Sequence, residues 1–228
     1  MEMRRKGRFL AAFIIFLLLA DQAIKVAVKL NMTLGESISV CGNWFQLLFI
    51  ENPGMAFGME ISSAFWGKLL LSLLRIVLII VLLRYIVQLL KRDSAARLME
   101  RERLPQAKAF GSEPLIVPLG VFIGISLIFV GAVGNVLDCL FYGLFFGEST
   151  PFEAATLFPS GGGYAPILFG KVVDMFYFPI IDTQLPSWVP IWGGEHFVFF
   201  RPIFNFADAC VSVGVCYLIL FQRAFFKA

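Results

Sequence analysis

A chain with one histidine, His196, cannot build a multi-histidine metal centre, and any Ser-His or Cys-His catalytic device would rest on that single residue. His196 itself reads as an interfacial loop residue. Cysteine is almost as scarce: Cys41, Cys139, Cys210 and Cys216 include no C-x-x-C pair, so neither a zinc site nor a disulfide framework is indicated. Phosphate-binding loops are missing too. The run Ser160-Gly161-Gly162-Gly163 is not followed by Lys-Ser or Lys-Thr, and there is no G-x-S-x-G elbow. No internal repeat is visible. Charge is sparse, with 15% of residues charged against roughly 25% in soluble proteins. The net charge of +3 is too small and too unevenly placed to suggest nucleic acid as a partner. No metal and no cofactor is expected.

Apolar residues are abundant, at 59% of the chain, more than one globular core can enclose. Lipid as solvent accounts for the excess. Four stretches, 9–30, 66–90, 115–134 and 203–222, approach the ~20 residues that cross a bilayer, and each must be helical because hydrocarbon offers the backbone no partners. The first follows Arg4, Arg5, Lys6 and Arg8 like a signal peptide, but Asp21 and Lys25 come next without an A-x-A cleavage pattern, so it reads as a retained helix. Basic residues set the orientation. The N-terminal four, then Lys91, Arg92, Arg97, Arg101, Arg103 and Lys108 in a loop spanning 91–114, then Arg223 and Lys227, assign those segments to the cytoplasm. Loop 31–65 has no Lys or Arg, and loop 144–202 has only Lys171 and Arg201, so both face outward. In the first outer loop, two β-prone runs flank Gly42-Asn43 and predict a hairpin. The second reads as irregular and partly interfacial, given Trp188, Trp192 and the Phe residues among 197–200.

Ionisable groups within a span cost a few kcal/mol or more, so each requires a reason. Asp21, Asp138, Asp174 and Asp208 are such groups. Asp208, five residues into the fourth stretch, would lie about 8 Å below the outer surface. Asp138 follows the outer end of the third stretch. Asp21 sits in the outward half of the first, with Lys25 one turn on in the order that favours an ion pair. Asp174 falls in an apolar run that re-approaches the membrane. All four acids can gather at one depth under the outer leaflet, accompanied by the amides of Asn52, Asn135 and Asn205. Polar groups in bundles often serve only as helix-to-helix contacts. Here their number at one depth points instead to chemistry: two close carboxylates cannot both ionise cheaply, so one keeps a proton while the other activates water against a peptide carbonyl. Such aspartic protease chemistry requires no histidine, metal or nucleophilic serine.

The segments DQAIK (21–25), NPGMAFG (52–58), GAVGNVLD (131–138), VVD (172–174) and FNFAD (204–208), in that order, resemble the lipoprotein signal peptidase family, also called signal peptidase II, over nearly the whole chain. The resemblance implies that Asp174 and Asp208 form the catalytic dyad. It also implies supporting or substrate-binding roles for Asp21, Lys25, Asn52, Gly54, Gly131, Asn135, Asp138 and Asn205. Two features depart from the family. The GNxxD segment usually continues with Arg, yet Cys139 follows Asp138, so a charge partner is absent or supplied elsewhere; Arg75 is a candidate. The outer loop around 144–170 and the 34-residue interval between the two acids are longer than the family's compact pattern needs.

The expectation is therefore a single membrane-embedded peptidase domain, 1–228, with an all-α fold of four transmembrane helices and a small extracytoplasmic β element. Both termini would be cytoplasmic, in a bacterial inner membrane, with the site near the outer leaflet. The implied activity is removal of the signal peptide from diacylglyceryl-modified prolipoproteins on the amino side of the lipidated cysteine. The partners would be that substrate and membrane lipids, and the protein a monomer. The competing reading is a non-catalytic lipid or lipoprotein binder, or a proton-coupled carrier, reusing buried acids without hydrolysis.

Overall fold

The computed structural model describes residues 2–53, 65–102 and 116–226. Helix α1 covers Glu2–Asn31 and α2 covers Phe65–Glu102, both free of proline. Helix α3, Leu119–Leu137, begins just after Pro118 and passes into a π-helical turn, Asp138–Tyr142, and a last α-helical turn, Gly143–Phe145. Helix α4 covers Phe206–Phe221. Among the described residues three segments, Arg4–Asn31, Gly67–Met99 and Leu119–Phe145, are long and apolar enough to cross a membrane. The fourth is apolar but shorter, 16 residues or about 24 Å, because Ile203–Phe204, assigned to the span on hydropathy, forms a strand.

Two compact units divide the chain. A helical unit comprises Met1–Asp21, Ser72–Val136 and Ala207–Ala228. Its core joins Leu10, Ile86, Leu89, Val121, Phe122, Ile125 and Leu218. Small residues permit close helix approach: a Cβ on Gly131 would lie 2.3 Å from the Ala207 carbonyl and from Val211. Residues 91–102, expected in a cytoplasmic loop, continue α2. Their Lys, Arg, Ala, Leu and Glu are strong helix formers. Asp93 secures this stretch, accepting from Lys6 Nζ at 2.6 Å, from Arg97 Nε and from the Val117 amide.

The second unit, Gln22–Leu71 with Leu137–Phe206, mixes helix and sheet. Strands β1 (Ser37–Cys41), β2 (Phe45–Asn52), β3 (Val172–Tyr177) and β6 (Ile203–Phe204) make an antiparallel sheet in that order, and β4 (Ile181–Gln184) pairs with β5 (His196–Phe199). The β1–β2 turn falls at Gly42, whose φ of +51° suits glycine, as the sequence predicted. The six strands among the described residues correct the all-α expectation: the fold is mixed, with four apolar helices and two sheets described. The second outer loop is likewise not simply irregular. Its β3 is rich in β-branched and aromatic residues, but the partner β2 lies more than 100 residues earlier, beyond the reach of local pattern. The core of this unit gathers Val28, Met32, Phe49, Tyr142, Phe146, Val173 and Met175.

Candidate active site

The mixed unit positions Asp174 in the middle of β3, where Cα pairing sets it opposite Ile50 of β2. Val173 and Met175 are fully buried in the core, so the strand's alternation turns Asp174 to the other face. There, 3% exposed, its carboxylate accepts from Asn205 Nδ2 at 2.6 Å and from Asn52 Nδ2 at 3.4 Å. Each amide belongs to a different motif, and the fold brings both to one carboxylate. Two N–H donors orient the side chain and stabilise negative charge on it.

In the same unit Lys25 and Asp138, both wholly buried, form an ion pair at 2.8 Å. Gln22 donates to Asp138 Oδ1 at 3.0 Å and accepts from the Tyr142 hydroxyl at 3.1 Å, while the Val173 amide points at Asp138 Oδ2 from 3.4 Å. Asp138 thereby ties α1 and the π-turn to the strand carrying Asp174. A second ammonium, Lys68, donates to the Phe169 carbonyl at 2.7 Å and lies within electrostatic range of the Cys139 thiol. Cys139 is buried.

The helical unit holds the remaining predicted residues. Asp208 lies in the first turn of α4, half-buried, and accepts from Asn135 Nδ2 at 2.8 Å. Asp21, fully buried, accepts from the Ala207 amide at 2.9 Å, capping an N-terminal donor of α4. A Cβ on Gly134 would stand 2.7 Å from Asp21 Oδ2, so only glycine leaves that carboxylate its place. Arg75, half-buried on α2, belongs to this unit. Gly54 lies outside the described residues.

Sequence reasoning missed a second buried cluster in the mixed unit. Lys29 and Glu51 form an ion pair, both hydrogen-bond Ser149 at 2.9 Å, and Lys171 Nζ stands 3.1 Å from Glu51 Oε2. Burial alone would push the Glu51 carboxyl up, but the Lys29 hydrogen bond and the Lys29 and Lys171 charges outweigh it and hold it below the ordinary 4.5. Burial raises the Tyr164 phenol above its ordinary value of 10.0, although its oxygen accepts from the Lys171 amide at 2.7 Å. Lys29 follows Lys25 by four residues, a spacing that could have signalled a shared helix face. Among the described residues no three His, Cys, Asp or Glu side chains are placed to hold a metal ion.

The fold is that of a membrane enzyme. Solved bacterial membrane enzyme structures determined by the in meso method, at 2.3 and 1.9 Å resolution, align with TM-scores of 0.53 and 0.52, covering 95% and 94% of this chain and 88% and 92% of theirs, at 19% and 20% identity. The family model for signal peptidase (SPase) II matches residues 13–101 and 117–224. Lipoprotein signal peptidases of Porphyromonas gingivalis and Amoebophilus asiaticus are 45% and 32% identical over 94% and 90% of the chain, and 83% and 73% of their own lengths. The chain belongs to the signal peptidase II family.

Proposed function

We propose that this protein is an aspartic endopeptidase that removes the signal peptide from diacylglyceryl-modified prolipoproteins, cutting on the amino side of the lipidated cysteine. Asp174 and Asp208 are its two catalytic carboxylates. One enters the reaction ionised and takes a proton from water as the oxygen attacks the scissile carbonyl carbon. The other, protonated, polarises the carbonyl oxygen. Collapse of the tetrahedral adduct breaks the C–N bond, and a proton passes to the departing amine. The carrying observation is that Asn52 and Asn205, from two separate motifs, both donate to the carboxylate of a third. Asn205 also precedes Asp208 by three residues, a span that covalent geometry limits to about 11 Å.

Both termini are assigned to the cytoplasm and the two loops carrying the strands to the outside, on the distribution of Lys and Arg. A diacylglyceryl group holds the substrate cysteine at the outer leaflet, so the lipid supplies positioning that a peptide alone lacks. The enzyme acts as a monomer. Incubating the purified protein with a diacylglyceryl-modified prolipoprotein and with its unmodified precursor tests the reading: cleavage of the first alone is expected. Equal cleavage of both would remove the role of the lipid, and cleavage of neither the role of peptidase.

A further inference from the structure

Two lysines and a glutamate stand on the core side of the strand pair that presents Asn52 and Asp174. Hydrolysis needs none of them. The side chains of Glu51 and Lys29 are buried, and withdrawing such charges from water is costly unless geometry compensates closely. The pairing of β2 with β3 explains why the cost is borne. A bulge interrupts that ladder between Leu47 and Ile50, and beyond it only three pairs remain: Ile50 with Asp174, Glu51 with Val173, and Asn52 with Val172. Three pairs specify register weakly. A slip of one residue would turn Asp174 toward the core and Val173 outward.

We propose that Lys29, Glu51, Ser149 and Lys171 form a register lock that decides which face of β3 presents the Asp174 carboxylate. The inference rests on the reading of Asp174 as catalytic. Glu51, next to Asn52 on β2, is tied by one oxygen to Lys29 of α1 and to the Ser149 hydroxyl. Its other oxygen, buried and without a hydrogen bond, faces the ammonium of Lys171, the residue just before β3. Lys171 is held in turn by the hydrogen bond that its backbone N–H donates to the Tyr164 hydroxyl, with Glu148 at 3.6 Å from its ammonium. A one-residue slip would move one strand by about 3.3 Å and separate these charges in a low-dielectric setting. Only the register that turns Asp174 toward Asn205 keeps every charge paired. These are positioning residues and touch no reacting atom.

The test uses the full chain in lipid, the lipidated prolipoprotein and four variants. Lys171→Met should lower kcat about tenfold or more while leaving KM within about twofold, because a misplaced reacting group loses turnover and not ground-state binding. Lys171→Arg should restore most of the rate. The double variant Lys29→Met with Glu51→Gln leaves no buried charge of that pair uncompensated; it should fold, show the same kcat loss, and exchange the β3 amide hydrogens faster than wild type. Asp174→Asn is the reference and should be inactive. An inactive reference beside wild-type kcat in both lock variants would overturn the lock while sparing the catalytic assignment. A rise in KM at unchanged kcat would overturn it too, by making the cluster a substrate contact. Turnover retained by Asp174→Asn would remove the catalytic reading first, and the lock with it.

Discussion

Asp174 and Asp208 are both gripped by asparagine amides, yet they are positioned by different means. In the mixed unit Asp174 hangs on a strand, nearly inaccessible, and two of its donors, Asn205 and Asn52, come from 31 and 122 residues away in sequence. In the helical unit Asp208 stands in the first turn of a helix, half exposed, with Asn135 as donor and the turn itself anchored by Asp21. Strand placement depends on register and on remote partners; helix placement follows from 3.6-residue periodicity and a cap. The strand-borne acid should therefore respond to changes far away in the sequence, and the helix-borne acid to changes in close helix packing.

The largest expected effect treats the two acids alike in activity and separates them in stability. Asp174→Asn and Asp208→Asn should each reduce cleavage by at least about 10²- to 10⁴-fold, the span of general acid–base contributions. In thermal unfolding, Asp174→Asn should cost about 1–3 kcal/mol, because an amide facing the buried Asn205 donor and the half-buried Asn52 donor leaves them poorly matched, and Asp208→Asn less. Equal destabilisation would erase the contrast. Next, Lys25→Met strands the Asp138 carboxylate in a site with no exposure and should destabilise by about 3–5 kcal/mol in the same assay. A wild-type melting profile would show that this pair does not hold the mixed unit together.

The helical unit has its own probe. Gly131→Ala would force a methyl group to within 2.3 Å of the Ala207 carbonyl and Val211, and should cost about 1–3 kcal/mol through overpacking. Its activity should fall as α4 shifts, and unchanged activity would loosen the link between helix packing and Asp208. A smaller effect is expected from Cys139→Ser. The thiol is buried, the single histidine is far off in sequence, and no step requires a sulfur nucleophile, so most activity should remain. Complete loss with the protein still folded would replace the aspartic mechanism. Smallest is acidification. The Glu51 carboxyl is held below 4.5, so its stabilising contribution is complete above that ordinary value and is lost only as pH falls through the lower, folded-state value. Unfolding followed from pH 7 to about 4.5 should reveal little loss from this cluster, and an early drop absent from Glu51→Gln would contradict that sign.

The same contrast explains what could be read from sequence. The helices were legible because lipid leaves the backbone no alternative, and Asp208 was legible as a helical position near a span end. The β1–β2 hairpin was legible from Gly42-Asn43. Strand β3 was not, since Val172–Tyr177 resembles any short apolar run and its partner is far away. Lys25 was paired with Asp21 by spacing, while the ion pair to Asp138 depends on the tertiary fold. The Glu51 cluster escaped because a glutamate beside the NPGMAFG motif and a lysine at a helix end each look like solvated surface until the fold buries them.

The π-helical turn at Asp138–Tyr142 carries a consequence for length variation in this chain. A π-turn accommodates one residue more than an α-helical turn would, and Gln22 bridges its first residue to its last. Deleting one residue there would let the turn close as an ordinary α-helical turn, with the residues before and after it kept in phase, and the spacing at which Gln22 joins Asp138 to Tyr142 would be lost. The π-turn is thus a place where the helix takes in a single extra residue without redirecting the side chains that follow.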